Sequence, residues 1–133
     1  MNSTNAPILI VDDDDDIREL IKVFLEAEGY RVNGATDGLD AWEQVQSGLQ
    51  PSLILLDLMM PRMDGEQFLK KLRSCHLSEI PVIILSGNIS AKEKSSGLKA
   101  SCFLTKPVEI DELLNAVRRF VHSPIESGLR KRG

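Results

Sequence analysis

The chain alternates short apolar runs with longer segments whose apolar residues recur every three or four positions. Ile8-Leu9-Ile10-Val11, Leu53-Ile54-Leu55-Leu56 and Phe103-Leu104-Thr105 each read as a buried strand, of the kind found in parallel sheets covered on both faces. After the first run, Ile17, Leu20, Ile21, Phe24 and Leu25 share one helical face, with Asp14 or Asp15 placed as the cap and Gly29 as the stop. Residues 30–35 read as a second strand. A second helix starts near Asp37, carries Ala41, Trp42, Val45 and Leu49 on one side, and is closed by Gly48-Leu49-Gln50-Pro51. Residues 52–57 form the third strand, and Phe68, Leu69 and Leu72 mark a third helix ending near Cys75. Pro81 opens a fourth strand over 82–86, residues 101–105 make a fifth, and Ile110, Leu113, Leu114, Val117 and Val121 give a last amphipathic helix. Between 90 and 100, Leu98 is the lone large apolar residue, so a helix there should be short, frayed or poorly packed. Strands alternating with helices predict right-handed βαβ units, an α/β doubly wound parallel sheet.

Composition narrows this picture only a little. A chain of 133 residues has room for one domain with a full core, and 42% hydrophobic residues with a net charge of −4 suit an ordinary globular protein. Arg118-Arg119 and Arg130-Lys131-Arg132 are too few, against a negative total and with no DNA-binding helix pair, to suggest nucleic-acid binding by this chain. The polar start lacks the pattern of a signal peptide and no apolar run reaches membrane-spanning length, so the expected location is cytoplasmic, away from membranes. Cys75 and Cys102 have no paired spacing and suit a reducing compartment.

Charge placement changes the picture more. The first strand runs into Asp12-Asp13, the third into Asp57 and the fifth into Lys106-Pro107. In parallel sheets ligands bind beyond the carboxyl ends of the strands, so three carboxylates and one ammonium should meet at one edge. A lone Asp57 could equally cap a helix; beside Asp12 and Asp13 it needs a cation. Oxygen ligands without His or Cys suit Mg²⁺ rather than zinc or copper. Lys106 can hold a phosphoryl oxygen, and Ser86, at the end of the fourth strand, can donate a hydroxyl. These are the parts of an aspartyl-phosphate site.

With those residues in place, the chain resembles the receiver domains of two-component response regulators over residues 7 to about 121. The family's acidic pair falls on Asp12 and Asp13, its phosphoacceptor on Asp57, its Thr/Ser on Ser86 and its Lys-Pro on Lys106-Pro107, while Met60-Pro61-Arg62-Met63-Asp64-Gly65 looks like the loop after the phosphorylated strand. The resemblance implies a flavodoxin-like five-stranded sheet in the order 2-1-3-4-5 with helices on both faces. It implies Mg²⁺ on Asp13, Asp57 and the Met59 backbone carbonyl, with Asp12 acting directly or through water, and a cis Lys106–Pro107 peptide. The phosphoryl group would come from the phosphohistidine of a histidine kinase or a phosphotransfer protein, and Ser86, Phe103 and Lys106 would form the switch. Such a protein is a signalling phosphoacceptor that assists its own phosphorylation, not an enzyme acting on other substrates.

The expected layout is a flexible start over 1–6, the receiver domain over 7–122, and a flexible tail or the start of a linker over 123–133. Output is expected on the surface of the 90–100 helix, the fifth strand and the last helix, reshaped here by that polar helix; a phosphorylation-dependent dimer is one form it can take. Met59 and Asn88 stand where the family tunes the lifetime of the phosphate. Asp14, Asp15 and Asp16 need only be a solvated helix start, His76 and His122 ordinary surface histidines, and Trp42 a helix core or edge residue. A Mg²⁺-dependent phosphatase would need a second acid two residues after the nucleophile, where Met59 stands. A degenerate receiver serving only as a binding module would not need the full set of Asp12, Asp13, Asp57, Ser86 and Lys106.

Overall fold

The runs 8–11 and 53–56 become central strands of the sheet, buried on both faces, whereas 103–105, also expected to be buried, lies on an edge strand of which Leu104 alone is buried. In the computed structural model, residues 6–58, 60, 62–75, 79–87 and 100–121 are described. Their elements follow the order β1 (Ile8–Val11), α1 (Asp15–Ala27), β2 (Val32–Ala35), α2 (Gly38–Gln46), β3 (Leu53–Asp57), α3 (Gly65–Arg73), β4 (Val82–Ser86), β5 (Cys102–Thr105) and α4 (Ile110–Phe120). All five strands are parallel and lie in the order β2-β1-β3-β4-β5, the arrangement expected from the resemblance. The polar stretch over 90–99, His76, Asn88, His122 and the tail lie outside the described residues.

Alternation along each strand sorts the core into two layers. Ile8, Ile10, Leu53, Leu55, Ile83 and Leu85 pack with Ile21 and Leu25 of α1 and Leu113, Leu114 and Val117 of α4. Leu9, Val11, Ile54, Leu56, Val82 and Ile84 face the other way, onto Ala41 and Val45 of α2 and Phe68, Leu69 and Leu72 of α3. The sheet is therefore closed on both sides, and its open region is at the strand ends.

Several boundaries differ from the sequence reading for local reasons. Asp14, not Asp15, caps α1, accepting from the amides of Asp16 and Ile17. Gly29 takes a left-handed φ of 95° and lets the Tyr30 amide reach back to the Leu25 carbonyl at 3.1 Å. Tyr30 thus belongs to the exit of α1, its hydroxyl donating to the Val121 carbonyl at 3.0 Å, and β2 starts only at Val32. α2 ends at Gln46, short of Leu49, which packs half-buried against the core beside Trp42. Val121 follows α4 as its cap and remains buried. The apolar face assigned to α1 is wider than the surface available to cover it: Ile21 and Leu25 are buried, while Leu20 is 53% exposed and Phe24 is exposed beside Val23. Among the described residues no helix is long and apolar enough to cross a membrane.

Candidate functional site

Parallel register brings the charged strand ends together. Val11 pairs with Leu56, so one further step sets Asp12 beside Asp57, and Asp57 pairs with Leu85, one step before Ser86. Ser86 pairs in turn with Thr105, and the Lys106 amide donates to the Ser86 carbonyl at 2.8 Å, which carries the lysine round to the same edge. The Lys106–Pro107 peptide is cis.

Ligand oxygens of Asp12, Asp13 and Asp57 all lie within 4.8 Å of one another. Asp12 is 1% exposed and Asp57 6%, whereas Asp13 is exposed and forms the mouth of the cluster. Three hard oxygen donors, one open to solvent, fit a Mg²⁺ ion that keeps part of its water shell. Asp12 is held firmly: its Oδ1 accepts from the Asp14 amide at 2.9 Å, its Oδ2 accepts from Lys106 Nζ at 2.8 Å, and its backbone carbonyl accepts from Arg18 Nη1 at 2.7 Å. Lys106 Nζ also stands 3.5 Å from Asp57 Oδ2. Burial works against the Lys106 charge, but its hydrogen bond to Asp12 and the negative charges of Asp12 and Asp57 outweigh it and raise its pKa above the ordinary lysine value.

Ser86 is buried beside this cluster, and Phe103 is half-buried against the core layer under α2 and α3. Strand alternation puts Ser86 and Phe103 on the same face of the sheet, with Ile84 opposite Phe103 and Ser86 opposite Thr105. Asp12, Asp13, Asp57, Ser86 and Lys106 therefore meet at one edge, and Phe103, on β5, lies three residues before Lys106. Met59 is outside the described residues.

Two features of this edge were not legible in the sequence. One is the grip of Lys106 on Asp12 as well as on Asp57. The other is a fork from Arg62 in the loop after β3 to the buried Asp37, the cap of α2. The cap could have been read from Asp37 standing three residues before Asp40; nothing in the sequence couples it to position 62.

A family model of the response regulator receiver domain matches residues 8–118. Response regulator Rre1 of Synechocystis sp. is 37% identical over 118 residues, which cover 86% of this chain and 51% of that protein. Response regulator MprA of Mycobacterium ulcerans is 39% identical over 113 residues, covering 84% of this chain and 48% of MprA. The chain thus spans about half the length of these curated relatives. Among solved structures, chemotaxis protein CheY4 of Vibrio cholerae superposes with a TM-score of 0.80 at 31% identity, covering 87% of this chain and 98% of CheY4. The Francisella response regulator 1452 receiver domain gives a TM-score of 0.79 at 38% identity, covering 87% and 96%. With the sheet order, the acidic edge and the cis Lys-Pro in agreement, the chain belongs to the family of response regulator receiver domains.

Proposed function

We propose that this chain accepts a phosphoryl group on Asp57 from the phosphohistidine of a histidine kinase or phosphotransfer protein. The observation that carries this reading is the convergence of Asp12, Asp13, Asp57 and Lys106 at one strand edge of a receiver domain. Asp12, Asp13 and Asp57 would hold Mg²⁺, with the Met59 carbonyl as a fourth protein ligand. Bound there, the ion would neutralise charge on the carboxylates and the incoming phosphoryl oxygens.

The donor's N–P bond breaks as an O–P bond forms to an Asp57 carboxylate oxygen, and the imidazole leaves with its electron pair. Lys106, already directed at Asp57, takes up charge on a phosphoryl oxygen, and the Ser86 hydroxyl donates to another. Movement of Ser86 toward the phosphate opens space on the face it shares with Phe103, and the ring follows inward, biasing a two-state output surface. The unit doing this is residues 7–122, acting in the cytoplasm as a signalling phosphoacceptor, with 123–133 as a tail or the opening of a linker. Incubation with Mg²⁺ and acetyl phosphate, followed by intact mass, should add one phosphoryl group; no addition, or an addition that survives Asp57→Asn, overturns the reading.

A further inference from the structure

The loop between β3 and α3 leaves the sheet directly after Asp57 and is fastened at two places. At its base, the Gly65 amide donates to the Leu58 carbonyl at 3.0 Å, and a Cβ on Gly65 would lie 2.3 Å from the Asp57 carbonyl oxygen. At its far side, the Gly38 amide donates to the Met63 carbonyl at 2.8 Å, and a Cβ on Gly38 would lie 2.2 Å from that same oxygen. Both contacts bring backbone against backbone and admit only glycine.

Beside the second contact, Arg62 forks onto Asp37. Its Nε donates to Asp37 Oδ2 at 2.6 Å and its Nη2 to Oδ1 at 3.2 Å, while Asp37 Oδ1 also accepts from the Asp40 amide at 2.8 Å as the cap of α2. Arg62 is the one non-glycine among the described residues with a positive φ, 62°, a conformation that L side chains adopt reluctantly and that persists only when the surroundings impose it. A surface arginine paired with a carboxylate ordinarily adds little to stability. A planar fork onto a buried carboxylate, held in a strained backbone in the loop that leaves the sheet after Asp57, instead suits positioning.

We propose that Arg62, locked to Asp37, is a positioning residue for phosphoryl transfer: the pair pins the β3–α3 loop to the start of α2 and so fixes the backbone that follows Asp57. Without the pair the described fastenings of the loop are Gly65, the Gly38–Met63 hydrogen bond and the packing of Met60 and Met63 on the core, and the carboxylate loses part of its preorganised aim. The proposal rests on Asp57 being the phosphoacceptor.

Arg62→Gly and Asp37→Asn separate positioning from folding, since glycine relieves the left-handed strain and asparagine still caps α2. Three readouts apply to both and to the double variant: the initial rate of phosphorylation by acetyl phosphate, Mg²⁺ binding by calorimetry, and hydrogen exchange at the Gly38 amide. Each single variant should slow phosphorylation about tenfold, less than the roughly hundredfold that a 1 Å misplacement of reacting groups can cost, weaken Mg²⁺ binding and speed Gly38 exchange. The double variant should be no slower than either single one, because both remove the same contact. Wild-type protein that is phosphorylated while both variants match it within about twofold overturns the latch alone, as does a double variant whose losses multiply. Wild-type protein that takes no phosphate overturns the phosphoacceptor reading, and this proposal with it.

Discussion

Three carboxylates within 4.8 Å repel one another, and Asp13 is the member that can be neutralised without leaving a buried partner exposed. At that separation each pair of unit charges repels by about 0.9 kcal/mol in water and about 3.5 kcal/mol at an effective dielectric constant near 20. Asp13 faces solvent, which sets the lower figure for its share, and it sees two carboxylates partly balanced by Lys106, 2.8 and 3.5 Å from them. Asp13→Asn should therefore stabilise the metal-free protein by about 1 kcal/mol, or roughly 4 °C in Tm for a domain of this size. Mg²⁺ reverses the ranking. At a hundredfold excess over Kd the ion stabilises the native wild type by about 2.7 kcal/mol, a gain the variant largely loses with its ligand. Thermal unfolding of both proteins, first with a chelator and then across a Mg²⁺ series, should show the melting curves exchange order. If the two melt together in chelator, or respond equally to Mg²⁺, the three aspartates do not act as one cation site.

Lys106→Ala removes the ammonium that faces Asp12 and Asp57, leaving two buried carboxylates without that counter-charge. In chelator it should cost about 2 kcal/mol in a urea titration, less than for a fully buried pair because the lysine retains some solvent contact, and Mg²⁺ should restore part of the loss. Asp37 supplies a pH dependence: burial opposes its charge, but the hydrogen bonds and charge of Arg62, with the Asp40 and Leu39 amides, hold its pKa below the ordinary value. Since the folded pKa is the lower one, its stabilisation is present above about pH 4 and disappears as pH falls through the folded value. The stability gap between wild type and Asp37→Asn should accordingly close on acidification in urea titrations; a gap independent of pH would show that the Asp37 charge contributes nothing.

The sheet was readable because burial on both faces forces continuous apolar strands, and the acidic edge because parallel strands deliver their carboxyl ends to one side. Asp12, Asp13 and Asp57 were thus placed together by topology before any distance was known. Helix faces were less legible. Leu20 and Phe24 repeat at the spacing of core residues, yet periodicity reports only which residues share a face, and the sheet and α4 cover part of that face alone. Ends of elements escaped for a similar reason: Tyr30 has strand composition, but the left-handed Gly29 assigns it to the exit of α1. The Arg62–Asp37 fork was invisible because it joins side chains twenty-five positions apart, through a backbone conformation that no residue at position 62 advertises.

The charge balance at the strand ends suits Lys106 to the two roles proposed for it, building the site and reading the phosphate. Three carboxylates against one ammonium leave an excess of two negative charges, which one divalent cation cancels. Lys106 does part of that work, closer to Asp12 at 2.8 Å than to Asp57 at 3.5 Å. Bound metal would relieve Asp12 of its need for the lysine, while a phosphoryl group on Asp57 would add negative charge and new acceptor oxygens on the side where the lysine contact is longer. Both changes would draw Lys106 in one direction, from Asp12 toward Asp57. Its backbone amide stays tied to the Ser86 carbonyl, so the ammonium can shift by rotamer while the strand ends keep their register. The same tie couples Lys106 to Ser86, whose hydroxyl would answer the same phosphate from the neighbouring strand.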